Sequence, residues 1–129
     1  MSLGKENIIK SIVNLTPHDV VIYDRQGKEP ILTIPPSGVV TRVSVTPKGS
    51  RVINVDGKEI TIRKIEYGEI TNLPDPKEGT IYIVSSIVLQ ALKYKGIKRE
   101  DVLAVDSNPD SAIRDEKGRI KGVKFLMTL

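Results

Sequence analysis

Two five-residue runs, Arg51-Val52-Ile53-Asn54-Val55 and Lys58-Glu59-Ile60-Thr61-Ile62, flank the dipeptide Asp56-Gly57 and constrain the fold more than any other stretch. Asp-Gly between runs rich in β-branched residues suits a two-residue type I′ turn, so this segment reads as a β-hairpin. A related signal occurs twice more. Asp19 to Tyr23 runs into Asp24-Arg25-Gln26-Gly27, and Ile31 to Ile34 follows; Asp115-Glu116-Lys117-Gly118 joins Ser111–Arg114 to a last strand over 119–129. Asp at the first position and Gly at the last suit a type I turn closed by a left-handed glycine.

The remaining elements follow from local chemistry. Pro35-Pro36-Ser37-Gly38 stops the strand before it, because proline cannot donate to a ladder. Val39 to Val45 alternates as the next strand, with Val39, Thr41, Val43 and Val45 on one face. Pro47-Lys48-Gly49-Ser50-Arg51 reads as a solvated turn, Lys64 to Ile70 as a further strand, Leu73 to Gly79 as a polar connector, and Thr80 to Val84 as a buried strand. One helix is expected near residues 86–95. Ser85 or Ser86 caps it, Ile87, Val88, Ala91 and Leu92 form its apolar stripe, and Gly96 ends it.

Val102 to Val105 then reads as a strand, and the apolar phase of the last strand changes at Gly122, which predicts a bulge or bend there. Eight or nine strands with one late helix give an α+β class, a mostly antiparallel twisted sheet or partial barrel. The 129 residues suit a single domain spanning 1–129, with residues 1–10 as a flexible lead-in and Met1-Ser2-Leu3 as an added leader.

Composition removes whole classes of function. With no cysteine, the chain has no thiol nucleophile, iron–sulfur ligands or disulfide scaffold, and its one histidine rules out a His-rich metal site. No cofactor and no metal are expected. Lys10 and Asn14 interrupt the apolar residues near the N-terminus, no run nears the roughly 20 needed to span a bilayer, and no signal peptide is visible, so a cytoplasmic protein without a membrane partner is expected. Abundant Ile, Val, Lys and Glu with only Gln26 and Gln90 give a thermophile-like composition. The net charge of +4 is carried by the first half: residues 1–64 hold ten basic and six acidic side chains, residues 65–129 ten of each.

Chemistry-bearing constellations are sparse. His18 follows Thr16-Pro17 and precedes Asp19, which as a strand neighbour points to the opposite face and cannot orient the imidazole; a turn residue at a strand start is the expected role. Asp106-Ser107-Asn108-Pro109-Asp110-Ser111 starts like a calcium loop, but Ser111 and Lys117 occupy the places that need glycine and glutamate, so an Asx-rich turn is expected. No phosphate-binding glycine motif is present.

The segments Asn14-Leu15-Thr16-Pro17-His18, Ile34-Pro35-Pro36-Ser37-Gly38, Leu73-Pro74-Asp75-Pro76, Gly79 to Ser85, Arg99-Glu100-Asp101, and Arg114-Asp115 with Gly118-Arg119-Ile120 occur in this order over about residues 14–125. Together they resemble small uncharacterised proteins of phages, integrated elements and archaeal viruses. The resemblance implies a viral or mobile-element origin and assigns no reaction. Within it, Thr16, His18, Ser85, Arg99, Asp101, Arg114 and Asp115 are the candidate functional residues.

The leading expectation is a non-enzymatic accessory protein that binds another protein, a second copy of itself included, through an exposed strand edge or loop face. The alternative is phosphate-directed nucleic-acid binding by Arg42, Lys48 and Arg51, by Lys93, Lys95, Lys98 and Arg99, and by Lys117, Arg119 and Lys121, which requires these groups to converge. An enzyme stands third and needs His18 beside Asp101 or Asp115.

Overall fold

The computed structural model describes residues 8–129. The lead-in expected at the N-terminus lies, over residues 1–7, outside the described residues. Ten strands and one helix follow: β1 (Ser11–Asn14), β2 (Val20–Tyr23), β3 (Pro30–Ile34), β4 (Arg42–Val55), β5 (Lys58–Thr71), β6 (Thr80–Ile83), α1 (Ser86–Tyr94), β7 (Val102–Val105), β8 (Ala112–Arg114), β9 (Ile120–Val123) and β10 (Leu126–Met127). They form two four-stranded sheets, ordered β1-β6-β7-β10 and β3-β2-β9-β8, and a separate two-stranded ribbon, β4-β5. The fold is α+β, and neither sheet closes into a barrel.

The two sheets and the helix stack as three layers, which the alternation of side chains along β6 makes plain. Ile83 packs with Val20 and Ile34 of the second sheet, joined by Ile12, Val105 and Leu126. Tyr82, on the opposite face of β6, packs with Val84, Val102, Ala104 and with Val88, Leu89 and Leu92 of the helix. A short strand buried on both faces reads as a continuous apolar run, as Ile81-Tyr82-Ile83 does.

The helix ends are made by the residues expected to make them. Ser85 is the N-cap, its hydroxyl accepting from the Val88 amide. At the other end Gly96 has φ 71°, its amide donates to Lys93 O, and the Ile97 amide donates to Leu92 O. That pair of bonds is the Schellman arrangement. The apolar stripe differs by one position: Leu89 is buried, whereas Ile87 is 42% exposed.

Three local expectations change. Pro47 to Arg51 is no turn, because β4 runs unbroken through it as a 14-residue strand, with irregular register between Pro47 and Gly49. Lys48 bulges there, which lets an edge strand accept a proline. Val39 to Thr41 precede the strand and do not join it. Pairing is mostly antiparallel, as expected, with parallel pairs among β1, β6 and β7 and between β2 and β9. Finally, the single strand expected over 119–129 is two strands in different sheets: β9 pairs with β2 and β8, and β10 pairs with β7. The phase change seen in the sequence is this passage between sheets. The extra residue on β9 is Lys121, adjacent to Gly122.

Candidate functional site

The segments that carry the resemblance turn out to hold one another. Asn14, at the end of β1, is 1% exposed. Its amide donates to His18 O at 2.7 Å and to Ile34 O at 2.9 Å, while its carbonyl oxygen accepts from the Thr16 amide at 2.9 Å and the Thr16 hydroxyl at 2.7 Å. The Ser37 amide donates back to Asn14 O. The first two segments therefore form one clamp that joins the two sheets. Asn14 opens the first of the shared segments but was not among the candidate functional residues.

A second clamp joins the proline-bearing connector to the start of β7. Arg99 makes a two-pronged pair with Asp101, Nε to Oδ1 at 2.8 Å and Nη2 to Oδ2 at 2.9 Å, and Nη2 also donates to Pro74 O at 2.9 Å. Both side chains are largely covered, Arg99 at 15% and Asp101 at 6% exposure. The hydrogen bonds from Arg99 hold the Asp101 carboxyl below its ordinary value near 3.8, outweighing the opposing effect of burial, and the same pairing raises Arg99. Tyr82, which is buried as its strand pattern suggests, donates its hydroxyl to Asp75 O.

A third clamp shapes the β8–β9 turn. Asp115 accepts from the Lys117 and Arg119 amides and from Arg119 Nε, while Arg114 donates to Gly118 O. The backbone donors, Arg119 first, lower the Asp115 carboxyl. Asp106 accepts from the Asn108 amide in an Asx turn, and no cluster suited to a metal ion occurs among the described residues.

The seven candidates thus divide among three places. Thr16, His18 and Ser85 line a cleft of about 560 Å³, with Arg42 at its edge. It lies beyond the carboxyl ends of the parallel strands β1, β6 and β7, where open α/β sheets commonly place ligands. Two of its polar groups are already used: the Thr16 hydroxyl by Asn14, and the Ser85 hydroxyl by the helix. Arg99 and Asp101 sit in the second clamp, Arg114 and Asp115 in the third. Neither Asp101 nor Asp115 lines the cleft with His18.

The basic groups also divide. Arg42, Lys48 and Arg51 belong to β4, Lys93, Lys95 and Lys98 to the end of α1 and the turn after it, and Lys117, Arg119 and Lys121 to the β8–β9 hairpin. Arg99 is engaged by Asp101 and Pro74.

The β4–β5 ribbon remains, and it is the most exposed part of the fold. At 14 residues per strand it reaches roughly 45 Å. Asp56 and Gly57 turn its tip with φ of 52° and 77°, the positive pair that a type I′ turn requires. Its base is held against the core by Val43 and Ile70 and by Tyr67, whose ring meets Tyr94 edge-on at 5.5 Å. Tyr94 itself is 68% exposed, more open than its place on the helix suggests.

Beyond Pro47 the pairing puts Gly49·Lys64, Arg51·Ile62, Ile53·Ile60 and Val55·Lys58 on one face. That face carries Ile53, Val55, Ile60 and Ile62, with Arg51, Lys58 and Lys64 around them. Ser50·Arg63, Val52·Thr61 and Asn54·Glu59 make the other, more polar face. Val55, Ile60 and Ile62 are 46%, 47% and 38% exposed.

Comparison with protein-family models, with curated proteins and with solved structures gives no match to this chain.

Proposed function

We propose that this protein is a non-enzymatic accessory protein, virus- or mobile-element-encoded, whose β4–β5 ribbon is an arm that binds a partner protein. The observation that carries this reading is the aliphatic face of the ribbon, Ile53, Val55, Ile60 and Ile62, displayed away from both buried clusters. A contiguous exposed apolar face costs solubility, and a face of this kind fits an interaction surface. The resemblance to phage and integrated-element proteins agrees with it. Most polar side chains of the shared segments are engaged in holding loops, whereas the arm beyond Pro47 takes no part in either buried cluster.

The test replaces residues 47–65 by a two-residue Asn-Gly turn. The shortened chain is expected to keep the far-UV spectrum and melting behaviour of the core while losing complexes that the intact chain forms, read by sedimentation velocity and by quantitative comparison of co-purifying proteins. Identical complexes from both chains would remove the arm from the function.

A second reading keeps the arm and changes the partner. Residues 48–64 carry five cations, Lys48, Arg51, Lys58, Arg63 and Lys64, against Asp56 and Glu59, and a two-stranded ribbon fits the major groove of duplex DNA. Fluorescence anisotropy with labelled duplex separates the two. Binding that weakens linearly in log salt and is lost with the arm would favour nucleic acid.

A further inference from the structure

We infer that the arm's partner is a second copy of this chain, joined through the outer edge of β5 in an antiparallel pair whose two-fold axis passes through Ile62. This rests on the arm being the binding element.

The physical need comes first. A two-stranded ribbon with no third layer beneath it is marginal in water, and three or more strands are needed for independent stability. Beyond Pro47 this ribbon has neither a third strand nor a packing layer, because β4 and β5 pair only with each other among the described strands. Both its edges therefore present unused backbone donors and acceptors. Such edges template pairing unless a proline, a bulge or a short length blunts them.

The two edges are unequal. The β4 edge is interrupted by Pro47 and the Lys48 bulge. The β5 edge runs from Lys58 to Tyr67 without a proline, and over that stretch its pairing to β4 slips only opposite Lys48, the other irregularity lying beyond it at Gly68 and Glu69. β5 is thus the edge that can accept a strand.

Charge then selects the register. In a symmetric antiparallel pair each residue faces a residue on the same side of the sheet, so the axis must pass through a residue and not between two. Centring on Thr61 sets Lys58 opposite the partner's Lys64 twice, a repulsion that offsets the pairing of Glu59 with Arg63. Centring on Arg63 sets that residue against its own copy. Centring on Ile62 sets Lys58 opposite Glu66 twice, Ile60 opposite the stem of Lys64, and Ile62 against itself. Centring on Ile65, which also sets Lys64 against Glu66, runs the pair into the irregular register at Gly68 and Glu69. Like charges directly opposite are destabilising and opposite charges stabilising, so the Ile62 register wins. Glu66 already sits 3.6 Å from Lys48 of its own chain, and the partner's Lys58 would approach it from the open side. The product is a four-stranded sheet, β4-β5-β5-β4, with the aliphatic face continuous across the junction. It is isologous and closed.

The chain has no cysteine, so a single introduced thiol reports register without background. Intact Ile62→Cys protein is expected to form an oxidised dimer at micromolar concentration, and Asn54→Cys, on β4, is not. Light scattering should show a dimer for the unmodified chain. Lys58→Glu alone and Glu66→Lys alone should each raise the dimer dissociation constant about tenfold or more, and the double variant should recover most of it. Both positions are exposed, and circular dichroism on each variant confirms that folding is intact.

A chain that stays monomeric up to hundreds of micromolar overturns the inference. So does a dimer in which Ile62→Cys fails to link or the charge swap fails to rescue. Either result leaves the arm reading to be decided by the shortened chain, which loses its complexes if the arm binds another protein and keeps them if it does not.

Discussion

The side-chain amide of Asn14 donates to the carbonyl of Ile34 across a gap of twenty residues, at 2.9 Å and fully buried. One side chain thereby ties the last residue of β1, in the first sheet, to the last residue of β3, in the second. Polar groups in such places are costly when left unpaired, and this one is paired on both of its ends.

Asn14→Ala removes that tie and strands Ile34 O and the Thr16 amide. A loss of about 2–3 kcal/mol is expected from urea unfolding. Thr16→Val, which deletes the hydroxyl's bonds to Asn14 and His18 in the same clamp, should cost about 1 kcal/mol. If Asn14→Ala melts like the parent chain, the clamp does not hold the sheets.

The Arg99–Asp101 pair makes an acid-sensitive contribution. The folded Asp101 carboxyl lies below its ordinary value near 3.8, so the folded state binds its proton less tightly than the unfolded chain. Its contribution is therefore complete above pH 3.8 and is lost as pH falls through the lowered folded value. Asp101→Asn should lower the melting temperature at pH 7 and flatten its fall on acidification below about pH 4. The loss at neutral pH should be about 2 kcal/mol, since Arg99 is not fully buried.

Gly122 and Gly49 should respond oppositely to alanine. A β-carbon at Gly122 would lie within 2.9 Å of Val21 O and closer still to the Tyr23 ring, whereas one at Gly49 meets nothing within 4 Å. Gly122→Ala should cost about 1–3 kcal/mol through displacement of Tyr23 and β2, and Gly49→Ala should be neutral to within about 0.5 kcal/mol. Thermal melts of the two proteins decide it.

Helix α1 offers a check on end chemistry independent of its burial. Ser85→Ala removes the acceptor for the Val88 amide and should cost about 1 kcal/mol. Gly96→Ala forces a left-handed φ of 71° on a β-carbon and should cost about the same.

Hydrogen exchange should rank the elements by their packing. Amides of β6, buried at all four positions, should exchange only on global unfolding. Distal amides of β4 and β5 should exchange many-fold faster in dilute solution. Protection appearing on the β5 edge with rising concentration would accompany self-association.

What the sequence made legible was local. The Asp56-Gly57, Asp24 to Gly27 and Asp115 to Gly118 turns, the Ser85 cap and the Gly96 stop each depend on a few adjacent residues, and each appears where it was expected. β1 was not legible, because Ser11–Asn14 becomes a strand only through parallel pairing with β6, about seventy residues away. Leu126–Met127 was expected as part of one last strand, and its passage into the other sheet was hidden likewise, since its partner there is β7. Pro47 misled for a different reason. Proline argues against a central strand, but β4 is an edge strand of a lone two-stranded ribbon, where a bulge absorbs it. The seven candidates fall in three separate places, and the side chains of Thr16, Ser85, Arg99, Asp101, Arg114 and Asp115 are spent on fastening loops and capping the helix. Nothing in their residue types distinguishes a fastener from a reactive group until partners are seen.

Reach and fold are separable quantities in this molecule. The arm's side chains beyond Pro47 take no part in either buried cluster, so the core imposes no length on it. Adding two residues to each strand moves the tip outward by roughly 7 Å and returns every side chain to its original face. Adding one inverts the faces beyond the insertion. The span between whatever is held at the tip and whatever is held at the base can therefore change in even steps. The body that carries the arm need not change with it.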